Sequence, residues 1–158
     1  MSSYFYKKNQ GSLLLNVLVS FGIIALMATI SIPYIRQYQP NLKLNATARD
    51  LTADLRYAQQ LTVTEQVIYL VDFDLDNDSY QILKSGVATT TIKTVEFDSD
   101  VSFQQVTDLT DNQVTFNFYG GVSEAGQIIL VNANGKTATI NVKPSGYVKL
   151  EQKLINKN

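Results

Sequence analysis

The sequence predicts an α+β fold: a long N-terminal α-helix, transmembrane in its first half and amphipathic in its second, packed on antiparallel β-sheet. Three observations carry that expectation. Residues 9–35 contain no charged side chain. Beyond Pro40, apolar residues return at helical spacing, at Leu44, Ala48, Leu51, Leu55 and Ala58. From Val67 onward the pattern changes to short β-prone runs separated by turn residues.

The uncharged opening follows the pair Lys7-Lys8. As a helix, residues 13–32 rise roughly 30 Å, the hydrocarbon thickness of a bilayer. Three readings compete for it. A cleaved secretory signal would place its best small-residue site at Ala28, yet Leu26 stands where a small side chain is wanted, and the apolar run exceeds the length such signals use. A buried core helix seldom stays free of charge for so long. A retained membrane span fits best, and the positive-inside rule then places Lys7-Lys8 in the cytoplasm and the chain beyond Arg36 on the far side.

Pro33 removes one helical N–H and would bend or locally open a continuing helix. The stripe from Leu44 to Ala58 has spacings of 4, 3, 4 and 3, with Arg49, Asp50, Asp54 and Arg56 off it. One helix, from about Ser12 to Thr64, is expected. Its later half has to lay the stripe on something.

The sheet can supply that surface. Val67–Phe73 and Tyr80–Lys84 flank the polar run Asp74–Ser79, a hairpin signal. Further strands are expected at 92–97, 101–106, 114–119, 127–132, 136–143 and 147–150. Gly120-Gly121, Gly126, Asn134-Gly135 and Ser145-Gly146 mark the turns, and Asn134-Gly135 reads as a two-residue hairpin. Val114, Phe116 and Phe118 alternate with Thr115, Asn117 and Tyr119, as on a sheet with one buried face.

Composition narrows the chemistry. The 158 residues leave, beyond the span, enough chain for one small domain. Net charge is −1, but residues 36–135 hold six Lys/Arg against thirteen Asp/Glu, while residues 136–158 hold five Lys against Glu151. The body should repel polyanions and the tail attract them. Absence of cysteine excludes disulfides, and absence of histidine removes the commonest general base and zinc ligand. No carboxylate pair, phosphate loop or nucleophile motif suggests an enzyme.

A basic leader ending in Gly11, an uncharged apolar helix with Pro33, an amphipathic half and antiparallel sheet together resemble the type IV pilin and pseudopilin family. Ala48-Arg49-Asp50-Leu51 to Arg56-Tyr57-Ala58, Val114 to Gly121, Gly126 to Leu130, Lys136 to Lys143 and Gly146 to Lys149 resemble its minor pseudopilin group, GspH/FimT. The resemblance implies a leader of residues 1–11, cut by a prepilin peptidase between Gly11 and Ser12, with Ser12 then N-methylated. It implies an assembly helix at 12–35 and a pilin-like extracytoplasmic domain at 36–158: amphipathic helix at about 41–64, sheet at about 67–150, then a basic tail. The protein would sit in the bacterial cytoplasmic membrane as a single-pass subunit before joining a type IV pilus or type II secretion pseudopilus. Its partners would be the peptidase, membrane lipid and other pilins, with no cofactor and no enzymatic activity.

Two positions depart from the family pattern. Ser12 stands where Phe is usual, and Asn16 where the family has a Glu. A carboxylate in the bilayer is retained only for a partner, which the resemblance makes the N-terminal amine of a neighbouring subunit. Asn16 cannot neutralise a charge, so a tip or initiating position is one expectation; a merely tolerated Asn, or weak recognition by the leader peptidase, weighs equally.

Two further sites come from charge. Asp72, Asp74, Asp76, Asn77 and Asp78 suggest a calcium loop, but Asn77 or Ser79 stands at the obligatory Gly and Leu83 or Ser85 at the bidentate Glu. An acidic hairpin turn is the better reading. In the tail, Lys143, Lys149, Lys153 and Lys157 could neutralise phosphates, and some FimT-like proteins bind DNA this way during uptake. Arginine, the better phosphate fork, is absent from the tail. A DNA-binding minor pilin is therefore the alternative reading, and an unrelated single-span binding module a further one.

Overall fold

The computed structural model describes residues 10–152, the side chains of 10–12, 34, 36, 37 and 152 apart. Lys7, Lys8, Lys153 and Lys157 lie outside the described residues. The chain divides after Tyr38 into two units.

Helix α1 runs Gln10–Glu65, and its assignment passes through Pro33 and Pro40 without a break. Pro33 has no N–H to give the carbonyl of Thr29. Hydroxyls of that stretch fold back on the backbone: Thr29 Oγ1 donates to the Ala25 carbonyl and Ser31 Oγ to that of Met27. This is a common way for apolar helices to keep polar groups satisfied around a proline. At the far end Gln66 takes a left-handed conformation (φ 54°), and its side-chain amide caps the Val63 carbonyl at 2.7 Å.

In the second unit the expected stripe is the buried one. Leu44, Ala48, Leu51, Leu55 and Ala58 are all in the core. Fully burying a leucine-sized side chain contributes about 1.5–3 kcal/mol. Thr62 continues the stripe; its hydroxyl donates to the Ala58 carbonyl and accepts from the Tyr69 N–H that opens the first strand.

Among the described residues eight strands follow, in two antiparallel sheets. One has the order β3-β2-β1-β5, from β1 (Tyr69–Asp74), β2 (Ser79–Lys84), β3 (Thr90–Glu96) and β5 (Gln113–Thr115). The other has the order β4-β6-β7-β8, from β4 (Val101–Thr107), β6 (Gly126–Asn132), β7 (Thr137–Val142) and β8 (Val148–Gln152). Inward residues alternate along the inner strands: Tyr69, Val71 and Phe73 on β1, Ile128 and Leu130 on β6, Ala138, Ile140 and Val142 on β7. Between the sheets Phe103 meets Phe73 at 5.8 Å and Phe97 at 4.7 Å between ring centroids.

Three local expectations change. The strand expected at 114–119 ends at Thr115, with a lone bridge from Phe116 to Val122. The Asn117 side chain accepts the N–H groups of Tyr119 and Gly121, and this turn competes successfully with the ladder, turning Phe118 and Tyr119 outward. Gly126 opens β6 instead of marking a turn. The β6–β7 hairpin is present, but not as a two-residue loop. The Gly135 N–H donates to the Asn132 carbonyl and Gly135 alone is left-handed (φ 73°), which is a type I turn followed by a glycine bulge. The Asn132 side chain, accepting from the N–H groups of Asn134 and Lys136, favours that longer form.

Candidate assembly segment and basic face

Leu13–Pro33, 21 residues, is long and apolar enough to span a membrane, and it is the one such helix among the described residues. None of it is buried within the chain. Leu13, Leu14, Val17, Leu18, Phe21, Ile24 and Met27 stand exposed around its circumference. A helix apolar all round needs lipid or other helices for solvent. Asn16 is the polar exception that no hydroxyl explains: its carbonyl accepts from Ser20 Oγ at 2.8 Å, and its side-chain amide has no partner among the described residues. Pro33 is exposed as well. Gly11 and Ser12 lie in helical backbone.

The described part of the basic tail is less basic than its composition suggests. Lys149 Nζ binds Glu151 at 2.7 Å, which raises the lysine's pKa and lowers that of the carboxylate. Lys143 lies 5.8 Å from the centre of the Tyr147 ring. Both lysines border an open groove of about 450 Å³ together with Asp108, Glu151, Gln127 and Asn141. Carboxylates thus share the surface with the two lysines, where a phosphate-tracking groove would carry one sign.

The acidic turn is built as a turn. Asp74 Oδ1 accepts the N–H groups of Asp76 and Asn77, and Oδ2 accepts from the Asn77 amide; these bonds, the side-chain one foremost, hold the Asp74 pKa below its ordinary value. Asp78, left-handed at φ 47°, accepts the Phe103 N–H. Among the described residues no group of acidic side chains converges as a metal site would.

Residues that the sequence did not single out fasten α1 to the sheets. Asp54 is buried; its carboxylate accepts the Tyr80 hydroxyl at 2.5 Å and Lys93 Nζ at 2.7 Å. Burial, and then the hydrogen bond to Asp54, push the Tyr80 hydroxyl pKa far up. Lys43 reaches Asp98 and Asp100, and Lys84 with the Tyr69 hydroxyl reaches Glu65. Gln59 Nε2 donates to the Gly120 carbonyl, and Arg56 to that of Val148. Gly146 packs so closely on Gly120 that any Cβ would collide with that same carbonyl. Asp54, expected off the stripe, is buried beside it: it stands three residues past Leu51 and four before Ala58.

Comparison with known proteins bears on this arrangement. The family model for the type II transport protein GspH matches residues 47–146, from the amphipathic part of α1 to the β7–β8 turn. The minor pseudopilin EpsH from the type 2 secretion system of Vibrio cholerae superposes with a TM-score of 0.62 at 9% identity, over 70% of this chain and 97% of that one. The type IV minor pilin FimU of Pseudomonas aeruginosa gives 0.57 at 17% identity, over 72% and 92%. GspH of E. coli gives 0.56 at 17% identity, over 75% and 94%. No curated protein matches by sequence.

Proposed function

Because the chain belongs to the GspH family of type IV pilin-like minor pseudopilins, we propose that it is a minor subunit of a type IV pilus or type II secretion pseudopilus, anchored first and assembled later. In this reading Leu13–Pro33 holds the subunit in the cytoplasmic membrane with Lys7-Lys8 inside. A prepilin peptidase cuts between Gly11 and Ser12, Ser12 is N-methylated, and the freed helix leaves lipid to pack with other subunits. The observation that carries the proposal is the continuity of α1: an uncharged, wholly exposed span leads the same helix whose later turns fill the core of a GspH-like domain. Such a span has to be solvated by lipid in one state and by helices in the other.

Mass spectrometry of the mature N-terminus tests it. A chain beginning at methylated Ser12 is expected. One beginning at Thr29 means an ordinary secretory signal, and an intact Met1 means a simple anchor; either result removes the proposal. An amide at Asn16 cannot neutralise a neighbour's N-terminal amine, which supports a terminal or initiating place in the fibre as one reading, beside a merely tolerated Asn. Unchanged amount and position of the Asn16→Glu variant in the fibre would remove that assignment.

A further inference from the structure

The domain from Gln39 onward has two chemically unlike ends, separated along α1. At the Lys43 end the β1–β2 and β3–β4 turns meet, the Phe97 N–H donating to the Asp78 carbonyl, and present Asp74, Asp76, Asp78, Glu96, Asp98 and Asp100. Lys43 reaches two of these carboxylates. About 24 Å further along α1, at 1.5 Å per residue, Gln59 and Val63 meet the Asn117–Gly121 and Lys143–Tyr147 turns.

Apolar and aromatic side chains stand exposed at this second end. Tyr119 is 96% exposed, Tyr147 54%, Val63 43% and Phe118 42%. The rings are carried on stiff turns: Asn117 Oδ1 holds two backbone N–H groups, and the Gly120 carbonyl is held by Gln59 beneath Gly146. Lys143 lies over the Tyr147 ring, and Arg56, bonded to the Val148 carbonyl, stands beside the patch. Of the nearby carboxylates Glu65 is engaged by Lys84 and Glu151 by Lys149, while Asp108 borders the groove beside Lys143. Preorganised tyrosines with a cationic border are the composition of a protein-docking surface, and a cationic border selects an acidic partner.

We propose that this aromatic end docks a carboxylate-rich turn of a neighbouring pilin-like subunit. Val63, Phe118, Tyr119 and Tyr147 receive its apolar side chains; Arg56 and Lys143 face its carboxylates. The inference rests on the subunit reading above. Its occupant is argued from charge complementarity, and the Lys43 end of this very chain shows that a domain of this fold can present such a turn. The contact is heterologous: the aromatic end of one subunit meets a chemically different surface of its neighbour.

The test uses the full-length chain in cells that assemble its fibres, with photoreactive p-benzoylphenylalanine at Tyr119 or, as control, at exposed Ile92 on β3. After irradiation the fibres are purified and adducts mapped by mass spectrometry. From position 119 the expected adduct joins an Asp/Glu-rich turn of another pilin-like subunit. It should be lost with Lys143→Glu, kept with Lys143→Arg, and absent from position 92. Adducts with lipid, glycan or an unrelated protein, or none at all from a chain present in the fibres, overturn the docking while leaving the subunit reading intact. A chain that never enters fibres overturns both.

Discussion

Buried Asp54 is the residue on which α1 and the first sheet depend together, because Tyr80 and Lys93 share its carboxylate. Removing an acceptor from a buried donor costs about 1–3 kcal/mol, more where charge is involved. Asp54→Ala should therefore lower stability by about 2–3 kcal/mol and Tyr80→Phe by about 1–2 kcal/mol, read as shifts of the urea midpoint. The double variant should cost little more than Asp54→Ala alone, since both changes break one network; simple additivity would show the groups to be independent. Glycines offer a second residue-scale contrast. Gly135 and Gly146 are both left-handed (φ 73° and 76°), but a Cβ at Gly135 has open space around it, whereas at Gly146 it meets the Gly120 carbonyl. Gly135→Ala should cost about 1–2 kcal/mol, the left-handed penalty alone. Gly146→Ala should cost clearly more, and equal losses in thermal denaturation would refute the close-approach reading.

At the scale of elements, β3 shows how an exposed sheet edge is kept from pairing with other chains. It borders its sheet, lies almost wholly exposed, and the run from Val87 to Val95 contains Lys93 as its sole charge. Lys93 stands opposite buried Ile82 and turns inward to Asp54. An inward-pointing charge on an edge strand blocks strand addition. Lys93→Val should raise light scattering with concentration and time while Lys93→Arg does not; equal behaviour of the two would mean the edge is protected by something else. What the sequence made legible follows the same physics. The stripe from Leu44 to Ala58 and the eight β-runs were readable because burial imposes periods of 3.6 and 2. The early end of β5 was not, because the side-chain bonds of Asn117 outcompete a pattern that Phe118 continues by residue type alone. The links from Lys43, Asp54 and Glu65 to the sheets were hidden too. Each ion pair among them joins residues 19 or more apart in sequence, and charge carries no periodic mark of its partner. For Asn16 the polar chemistry was legible, and among the described residues its side-chain amide has no partner.

For the molecule as a whole, an apolar helix exposed over Leu13–Pro33 and a domain tied by peripheral ion pairs respond to different variables. The domain's pH response follows from its carboxylates. Lys84 holds Glu65 below the ordinary carboxylate pKa, the Asn77 amide does so for Asp74, Lys43 for Asp98, the Thr110 backbone for Glu124 and Lys149 for Glu151. A folded-state pKa below the unfolded one means stabilisation that is complete above the unfolded value, about 4 for these groups, and lost as pH falls through the folded values. Lys43, Lys84 and Lys149 are raised by the same bonds. Their contribution is complete below the unfolded lysine value of about 10.4 and is lost as pH rises through the folded values. Between those limits the chain has no histidine to titrate. The melting temperature of the domain from Gln39 onward should therefore be level from about pH 5 to 9, fall below about pH 4, and fall again only in the lysine range. Because these pairs are exposed, molar salt should lower the plateau slightly and so shrink the acid-side fall. A step in melting temperature near pH 6–7 would contradict this account, since it would require a titrating group that the charge inventory of the fold does not contain.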